Sequence, residues 1–225
     1  MCGLFGVAGK LTSRDKEVFY QLGYPSMLRG TDGTGVTRLY GVQRGKKGEE
    51  RFFNVEKDPI PFVDFAYDSK NTTFSTFKNR KDYMFMGHVR AATLGKLVKG
   101  NTHPFYHGNL VVSHNGTLKD DEFLPEDDST DSEMLVRAMA KEGVEEPLKR
   151  LTKDSAYALS IFDKSDTSIS LVRNAGRPLA IAYNTDRDVI YWASEANMLH
   201  FILLRNDINY KIEELGTYDL RKVNI

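Results

Sequence analysis

The chain has 225 residues, of which 40% are hydrophobic, 28% charged and 11% aromatic, which is typical of a globular protein and excludes a disordered or fibrous one. Its 31 lysines and arginines balance 31 aspartates and glutamates, so no net charge draws it to nucleic acid or to an anionic membrane. No apolar run approaches the roughly 18 residues that span a bilayer, and the N-terminus lacks the pattern of a signal peptide. We therefore expect a cytoplasmic protein.

Hydrophobic periodicity predicts strands and helices in partly segregated blocks. The predicted strands span 2–8, 36–43, 51–55, 82–92, 109–113, 156–162, 168–173, 178–184 and 189–193, with a last strand pair between 209 and 223. The predicted helices follow Ser13 up to Arg29, open after Pro59 and Pro61, and span 134–140, 144–151 and 196–203. Because strands and helices do not strictly alternate, the pattern favours an α+β fold with antiparallel sheets.

The connections between these elements complete the prediction. Residues 44–48 are predicted to be the loop of a hairpin, and Asn115-Gly116 is a dipeptide typical of a turn that ends a strand. The four strands between 156 and 193 suit an antiparallel meander. No linker rich in proline, glycine or serine divides the chain, and no repeat recurs. We therefore predict one domain over residues 1–225.

The single cysteine is Cys2. One cysteine cannot form an internal disulfide or a cysteine-rich metal site, which fits a reducing compartment. Removal of Met1 would leave a thiol and a free α-amine on the same residue. From the residue alone, two interpretations stay open: a small apolar side chain that opens a strand, or a nucleophile.

Five short motifs occur in order along the chain: MCGLFGV, RGTDGTG, GHVRAAT, SHNGTL and STDSE. Together with HPFYHGNLVVSHNGTL, RNAGRPLAIA and ASEA, they resemble the class II glutamine amidotransferase domain, especially the glutaminase domains of amidophosphoribosyltransferases and glucosamine-6-phosphate synthases. The resemblance covers nearly the whole chain. It implies the fold of N-terminal nucleophile hydrolases, a four-layer αββα sandwich of two antiparallel sheets, and L-glutamine as substrate.

The resemblance places the reaction at Cys2, Asn115 and Gly116. Hydrolysis of a primary amide needs an activated nucleophile, a proton for the departing ammonia and donors for the oxyanion. A terminal Cys2 would supply the thiol and, as base, its own α-amine, whose ordinary pKa is about 7.7–8.0. The side-chain amide of Asn115 and the backbone N–H of Gly116 would bind the oxyanion. The dipeptide taken alone favours a simple hairpin turn.

For the charged head group of glutamine, the resemblance points to two residues. Arg90 would bind the α-carboxylate, because its planar guanidinium can pair through two hydrogen bonds, and Asp131 would bind the α-ammonium. Thr93 and Gly95 follow Arg90 and are further candidates for lining the pocket. Without the motifs, Arg90 would be interpreted as a surface ion pair and Asp131 as an acid at a helix N-terminus.

Three more residues are expected to support the site. Arg29 and Asp32 would brace the nucleophile strand, and His114 would lie behind the residues that touch substrate. His103 and His107 are four residues apart, but their loop holds no cysteine or carboxylate, so we predict no metal site. The sequence predicts no cofactor either.

The favoured hypothesis is a glutaminase subunit that passes ammonia to a separate synthetase or transferase, because no synthase segment follows Ile225 and no phosphate-binding loop is found. Two alternatives stay open: a self-sufficient amidohydrolase of γ-glutamyl compounds, and a glutamine-binding module without turnover. Ala91 and Leu94 depart from the sugar-phosphate synthases, where an aromatic residue and a histidine are usual. Glutamine turnover with and without a partner separates the three hypotheses.

Overall fold

The computed structural model describes residues 1–43, 49–68, 81–93, 95–125 and 128–225. The predicted hairpin loop 44–48 and Leu94 lie outside these residues. The strands are Gly3–Gly9 (β1), Gly33–Gln43 (β2), Glu49–Asp58 (β3), Lys81–Arg90 (β4), Phe105–His107 (β5), Leu110–Thr117 (β6), Ala156–Asp163 (β7), Ser168–Arg173 (β8), Ala180–Asn184 (β9), Val189–Ala193 (β10), Tyr210–Glu214 (β11) and Arg221–Asn224 (β12). The α-helices are Ser13–Ser26 (α1), Phe62–Tyr67 (α2), Asp131–Glu142 (α3), Glu145–Arg150 (α4) and Ala196–Arg205 (α5).

The described strands form two sheets in which every neighbouring pair is antiparallel. The larger sheet has the order β11-β9-β10-β1-β4-β2-β3, and the smaller has the order β12-β8-β7-β6-β5. In the larger sheet β1 is central, because β10 and β4 pair with its two sides. The first strand of the chain is thus held along both edges.

Helices cover the outer faces of both sheets, which gives the predicted four-layer αββα sandwich. Phe19 of α1 packs in the core outside the larger sheet, and Leu135 of α3 packs with Val112 outside the smaller sheet. Met86 and Val111 belong to the core between the sheets. Val111 and its neighbour Val112 lie in different cores because successive strand side chains point to opposite faces.

The first helix begins at a capping box. The Thr12 side chain accepts a hydrogen bond from the Asp15 backbone N–H at 3.4 Å, and the Asp15 carboxylate accepts the Thr12 N–H at 2.6 Å. Both N–H groups would otherwise lack a partner at the start of the helix. The exchange fixes where the chain leaves β1 and enters α1.

Three sequence predictions about connections are wrong. The strands between 156 and 193 do not form one meander, because β7 and β8 belong to the smaller sheet and β9 and β10 to the larger. The last two strands do not pair with each other: β11 pairs with β9 and β12 with β8. Apart from these connections, the short strand β5 was not predicted, since its three residues are too few for a periodic signal.

The third error concerns Asn115-Gly116, which form no turn. They lie inside β6, opposite Ala158 and Tyr157 of β7. A Cβ atom on Gly116 would lie 1.9 Å from the Ala156 carbonyl oxygen, so the close approach of the two strands requires glycine. Glycine occurs here because of strand packing and not because of a turn. Among the described helices, none is long and apolar enough to cross a membrane.

Candidate active site

Cys2 and Arg90 are brought together by strand pairing. In the register of β1 with β4, Gly3 lies opposite Val89, so the residue before β1 meets the last residue of β4. The Ala91 backbone nitrogen lies 3.4 Å from the Cys2 sulfur. Residues separated by almost ninety positions in sequence thus share one end of the larger sheet.

The second sheet and α3 complete a cavity over this end of β1. From β6 come His114 and Gly116, and from the N-terminus of α3 come Thr130, Asp131 and Ser132. The space among these residues, part of it open to solvent, is about 290 Å³. Its lining residues are Cys2, Arg90, Ala91, Thr93, His103, His114, Gly116, Thr130, Asp131 and Ser132.

The Cys2 thiol is buried, with 8% of the residue exposed. In the chain that still carries Met1, burial raises the pKa of this thiol, and the Ala91 N–H, the α-ammonium of Met1 and the Arg90 guanidinium only partly oppose that effect. The thiol is therefore protonated near neutral pH and needs a base before it can act as a nucleophile. Met1 itself is 65% exposed, so an aminopeptidase can reach it.

Arg29 and Asp32 hold the backbone around the cysteine and do not line the cavity. Arg29 donates from Nε to the Cys2 carbonyl at 2.9 Å, and its guanidinium also pairs with Glu195. Asp32 accepts the Ala92 N–H at 2.8 Å and donates its own N–H to the Arg90 carbonyl at 2.8 Å. These contacts support the bracing role expected for both residues.

Arg90 and Asp131 present opposite charges to the same cavity. Arg90 is buried, which lowers its pKa from the ordinary value, and it donates from Nη1 to the Lys96 carbonyl at 3.1 Å. Asp131 is also buried and accepts the Leu118 N–H at 2.7 Å and the Ser132 N–H at 2.8 Å. A carboxylate retains acceptor capacity after two such bonds. The pair is therefore suited to a molecule that carries both an anion and a cation.

Asn115 lies behind the cavity lining, next to Gly116. Its side chain is fully buried, and neither the oxygen nor the nitrogen of its amide has a hydrogen-bond partner within the described part of the chain. A buried amide without partners costs free energy. Such a group beside a cavity is typical of a site that completes its hydrogen bonds with a ligand.

Thr93 and Gly95 are placed differently. Thr93 lines the cavity, whereas Gly95 does not. Gly95 has φ +75°, and a Cβ atom there would lie 2.8 Å from the Asn101 amide nitrogen and 3.1 Å from the Thr130 methyl. Its contribution is therefore to let the loop turn close to the N-cap of α3.

Three buried histidines pack together, and two of them, His103 and His114, line the cavity, although His114 was expected to lie behind the lining. The rings of His88 and His103 are 4.1 Å apart between centroids, and those of His103 and His114 are 6.4 Å apart. His114 contacts the Ser132 hydroxyl through Nδ1 at 2.7 Å. Burial lowers the pKa of all three, to about 3 for His88. The rings are therefore neutral at physiological pH.

His103 is a lining residue that the sequence did not reveal as a site candidate. The sequence suggests it only as half of a metal pair with His107, but His107 lies 3.3 Å from Glu133, away from the cavity lining. The motif that begins at His103 does not reveal its role, because its partners come from β4 and β6. The described residues hold no group of three or more histidine, cysteine, aspartate or glutamate side chains that could bind a metal.

Comparison with known proteins identifies the family. Residues 28–219 match the class II glutamine amidotransferases, which is most of the chain. The chain belongs to this enzyme family. The resemblance inferred from the five motifs is thereby confirmed.

Individual relatives agree with that assignment. A glutamine–fructose-6-phosphate aminotransferase from Agrobacterium fabrum is 28% identical over 95% of this chain and 34% of its own length. An amidophosphoribosyltransferase from Methanocaldococcus jannaschii is 26% identical over 87% of this chain and 42% of its own length. The chain therefore spans between a third and a half of these relatives.

A solved structure shows the same fold. Glutamine phosphoribosylpyrophosphate amidotransferase from B. subtilis, complexed with ADP and GMP, superposes with a TM-score of 0.66 at 20% identity. The superposition covers 99% of this chain and 49% of that one. It confirms the predicted α+β sandwich.

Proposed function

We propose that this chain hydrolyses the side-chain amide of L-glutamine, with Cys2 as the nucleophile. The observation that carries the proposal is one cavity lined by the buried Cys2 thiol, a buried guanidinium (Arg90) and a buried carboxylate (Asp131). The two charges match the α-carboxylate and α-ammonium of a free amino acid. The thiol then faces the remaining part of that molecule, its side chain.

The first step forms a thioester. Once Met1 is removed, the α-amine of Cys2 takes the thiol proton, and the sulfur attacks the amide carbon. The oxyanion accepts hydrogen bonds from the Asn115 amide and the Gly116 N–H. When the tetrahedral species collapses, the C–N bond breaks, the α-ammonium returns its proton, and ammonia leaves.

The second step releases glutamate. A water molecule gives a proton to the Cys2 α-amine and attacks the thioester carbon. The C–S bond breaks, and the sulfur regains a proton. The α-amine of Cys2 thus acts as the base in both steps, and no histidine has to act as one.

We further propose that the ammonia passes to an acceptor on a separate synthetase or transferase. Two relatives are named for transfer to a second substrate, fructose 6-phosphate and a phosphoribosyl compound, and this chain matches only 34% and 42% of their lengths. The match thus supports the glutaminase half of such a reaction. An acceptor protein that stimulates glutamine turnover is the expected partner.

The test begins with the mature N-terminus. Mass spectrometry should find the chain without Met1, and a diazo-ketone analogue of glutamine should label Cys2. Glutamine hydrolysis should be lost in Cys2→Ala. A retained Met1 together with an unlabelled Cys2 overturns the proposal and favours a binding module.

The head-group assignment has its own variant and control. Arg90→Ala should raise the KM for glutamine strongly, because a buried bidentate partner of the carboxylate is removed. Arg137→Ala removes an arginine from the exposed face of α3, where it pairs with Glu133, and should leave KM unchanged. Equal kinetics in the two variants would refute the role of Arg90. Rapid cleavage of other γ-glutamyl amides without any partner would instead favour the self-sufficient amidohydrolase.

A further inference from the structure

A strip of polar side chains runs between the two sheets, directly behind the candidate active site. We call it the interlayer polar strip. Each member is at most 4% exposed, and each has at least one side-chain nitrogen or oxygen with no hydrogen-bond partner among the described residues. Its members are Thr37, His88, His103, Ser113, Asn115 and Ser160.

The position of the strip follows from strand alternation. Leu39, Met86, Val111 and Ala158 lie in the core between the sheets. Thr37, His88, Ser113, Asn115 and Ser160 are each separated from one of these residues by two positions, or by four, along the same strand. They therefore point to the same side, into the space between the sheets.

The members are also close to one another. Ser113 lies opposite Ser160 in the register of β6 and β7, and Asn115 follows Ser113 on the same face. His88 bridges the two sheets, because its Nε2 lies 3.1 Å from the His114 carbonyl oxygen. The His103 ring packs against His88 at a tilt of 33° and lines the cavity that holds Cys2. The strip thus reaches the active site through the two histidines.

To complete its hydrogen bonds, the strip needs a bound molecule that has both donors and acceptors. A carbonyl oxygen only accepts, so the Nε2 of His88 carries the hydrogen and its Nδ1 is an acceptor in the neutral ring. Neutral His103 likewise has one donor and one acceptor, and the serine hydroxyls have both. A small neutral molecule with both donors and acceptors matches this set, and water is such a molecule. A buried water typically makes about three hydrogen bonds to protein groups that otherwise lack a partner.

We propose that the interlayer polar strip binds ordered internal water, and that this water holds the Asn115 amide with its nitrogen turned toward the oxyanion. The second half of this inference rests on the proposed function. If Nδ2 of Asn115 donates to the oxyanion, Oδ1 must accept from the opposite side, and a donor there prevents the amide from flipping. Ser113 and Ser160 are then positioning residues.

The first test is independent of catalysis. Thr37→Val keeps the shape of the side chain and removes only the hydroxyl. If that hydroxyl is bonded to internal water, the variant loses a buried hydrogen bond, and Tm falls by about 2–4 °C. If the hydroxyl has no partner at all, its removal relieves a cost and Tm rises, which would overturn the proposal.

Water can also be observed directly. Oxygen-17 magnetic relaxation of the solvent detects long-lived internal water in solution, and a high-resolution crystal structure locates it. We expect long-lived water in the natural protein, fewer such molecules in Thr37→Val, and density within hydrogen-bonding distance of Ser113 and Asn115. A dry strip, with these side chains paired to one another, contradicts the inference.

The second test measures the effect on the reaction. Ser113→Ala and Ser160→Ala should each lower kcat about three- to tenfold, less than the 10²–10³ for loss of an oxyanion donor, and leave the KM for glutamine unchanged. Ser170→Ala is the matched control, since Ser170 lies on the outward face of the same sheet. An unchanged kcat in both serine variants refutes the positioning role.

These outcomes separate the two proposals. If the natural protein holds internal water but hydrolyses no glutamine, the proposed function fails and the hydrated strip stands. If glutamine is hydrolysed and the strip is dry, the proposed function stands and the inference about internal water fails.

Discussion

Two groups of buried polar side chains in this molecule differ in whether the protein itself completes their hydrogen bonds. At the end of β1 farther from Cys2, the Asp15 carboxylate accepts hydrogen bonds from Thr12, Arg187 and Tyr191. At the other end, His103 has no partner on either ring nitrogen among the described residues. The first group is charged and saturated by the protein itself. The second is neutral and incomplete.

The difference is informative because both arrangements are costly to build. Burial alone would raise the pKa of Asp15, but the hydrogen bonds from Arg187, Thr12 and Tyr191 outweigh it and lower that pKa below 3.8. A buried charge is tolerated only with such compensation. Unsatisfied groups, in contrast, concentrate where a substrate or water can complete them. We therefore infer that the Asp15 end of β1 stabilises the fold and that the histidine end serves the reaction.

The largest expected effect is on the incomplete side. Asn115→Ala should lower kcat for glutamine by about 10²–10³, equivalent to about 2.7–4 kcal/mol of transition-state stabilisation, because one oxyanion donor is lost. KM should change little, since the amide acts on the transition state. Steady-state kinetics measure both. The control is Asn197→Ala, because Asn197 is exposed. Asn174→Ala is less suitable, because the Asn174 side chain accepts a hydrogen bond from the Tyr157 backbone N–H. A kcat within threefold of the natural value would exclude Asn115 from the reaction.

The next largest effect is on the saturated side. Asp15→Ala leaves Arg187 and Tyr191 without their shared acceptor and should destabilise the fold by about 2–3 kcal/mol, less than the about 3–5 kcal/mol of a fully buried pair, because about a third of the Arg187 side chain reaches solvent. Urea unfolding measures this. The exposed Asp188→Ala, at the same end of the sheet, should stay within about 0.5 kcal/mol of the natural protein. Residual glutamine turnover per folded molecule should not change; if it does, the two ends of β1 are not independent.

The two groups should lose their contributions to folding stability at different pH values. Burial holds the pKa of His88 at about 3, below its ordinary 6.5, so the unfolded state binds a proton that the folded state does not. The contribution of His88 to stability therefore falls as pH drops from 6.5 toward 3, by about 1.4 kcal/mol per pH unit, or about 2 kcal/mol at pH 5. The depressed pKa of Asp15 acts only below 3.8. Its contribution is present above that pH and is lost as pH falls further.

Urea unfolding between pH 5 and 8 tests this order. His88→Gln should make the decline below pH 6.5 shallower by about 1.4 kcal/mol per pH unit, with the rest of it retained by His103 and His114, whose pKa values burial also lowers. Asp15→Ala should lower the whole curve without changing its slope in that range. His200→Gln, on the exposed face of α5, is the control. An identical slope in His88→Gln and the natural protein would show that another group causes the acid sensitivity.

The same comparison explains what the sequence could predict. Cys2, Arg90 and Gly116 were found because they sit in short motifs, and the structure places all three on one cavity. Asp15 and Arg187 are 172 positions apart, and no motif contains either, so their pairing could not be predicted. His103 lies within a motif, but its contacts with His88 depend on how two sheets pack together.

Strands and helices were predicted better than their connections. The alternation of apolar residues identified β7 to β10 individually, because periodicity is a property of each strand. Their division between two sheets depends on where the chain crosses from one layer to the other, which periodicity does not record. The Asn115-Gly116 error has a related cause: glycine is favoured by a turn and also by close approach of two strands, and only the packing against Ala156 distinguishes the two.

The smallest effect provides the most direct test, because the chain places the same cap in both regions. Thr12 caps α1 beside Asp15, and Thr130 caps α3 with its side chain 3.2 Å from the Glu133 N–H while lining the cavity. Thr12→Ala and Thr130→Ala should each cost about 1 kcal/mol of stability, since each removes one N-cap hydrogen bond. Only Thr130→Ala should also raise the KM for glutamine, because the first turn of α3 positions Asp131. Unfolding and steady-state kinetics on the two variants decide the point. If both variants shift KM equally, the two regions share one cooperative framework, and their separation into a stabilising end and a reactive end is wrong.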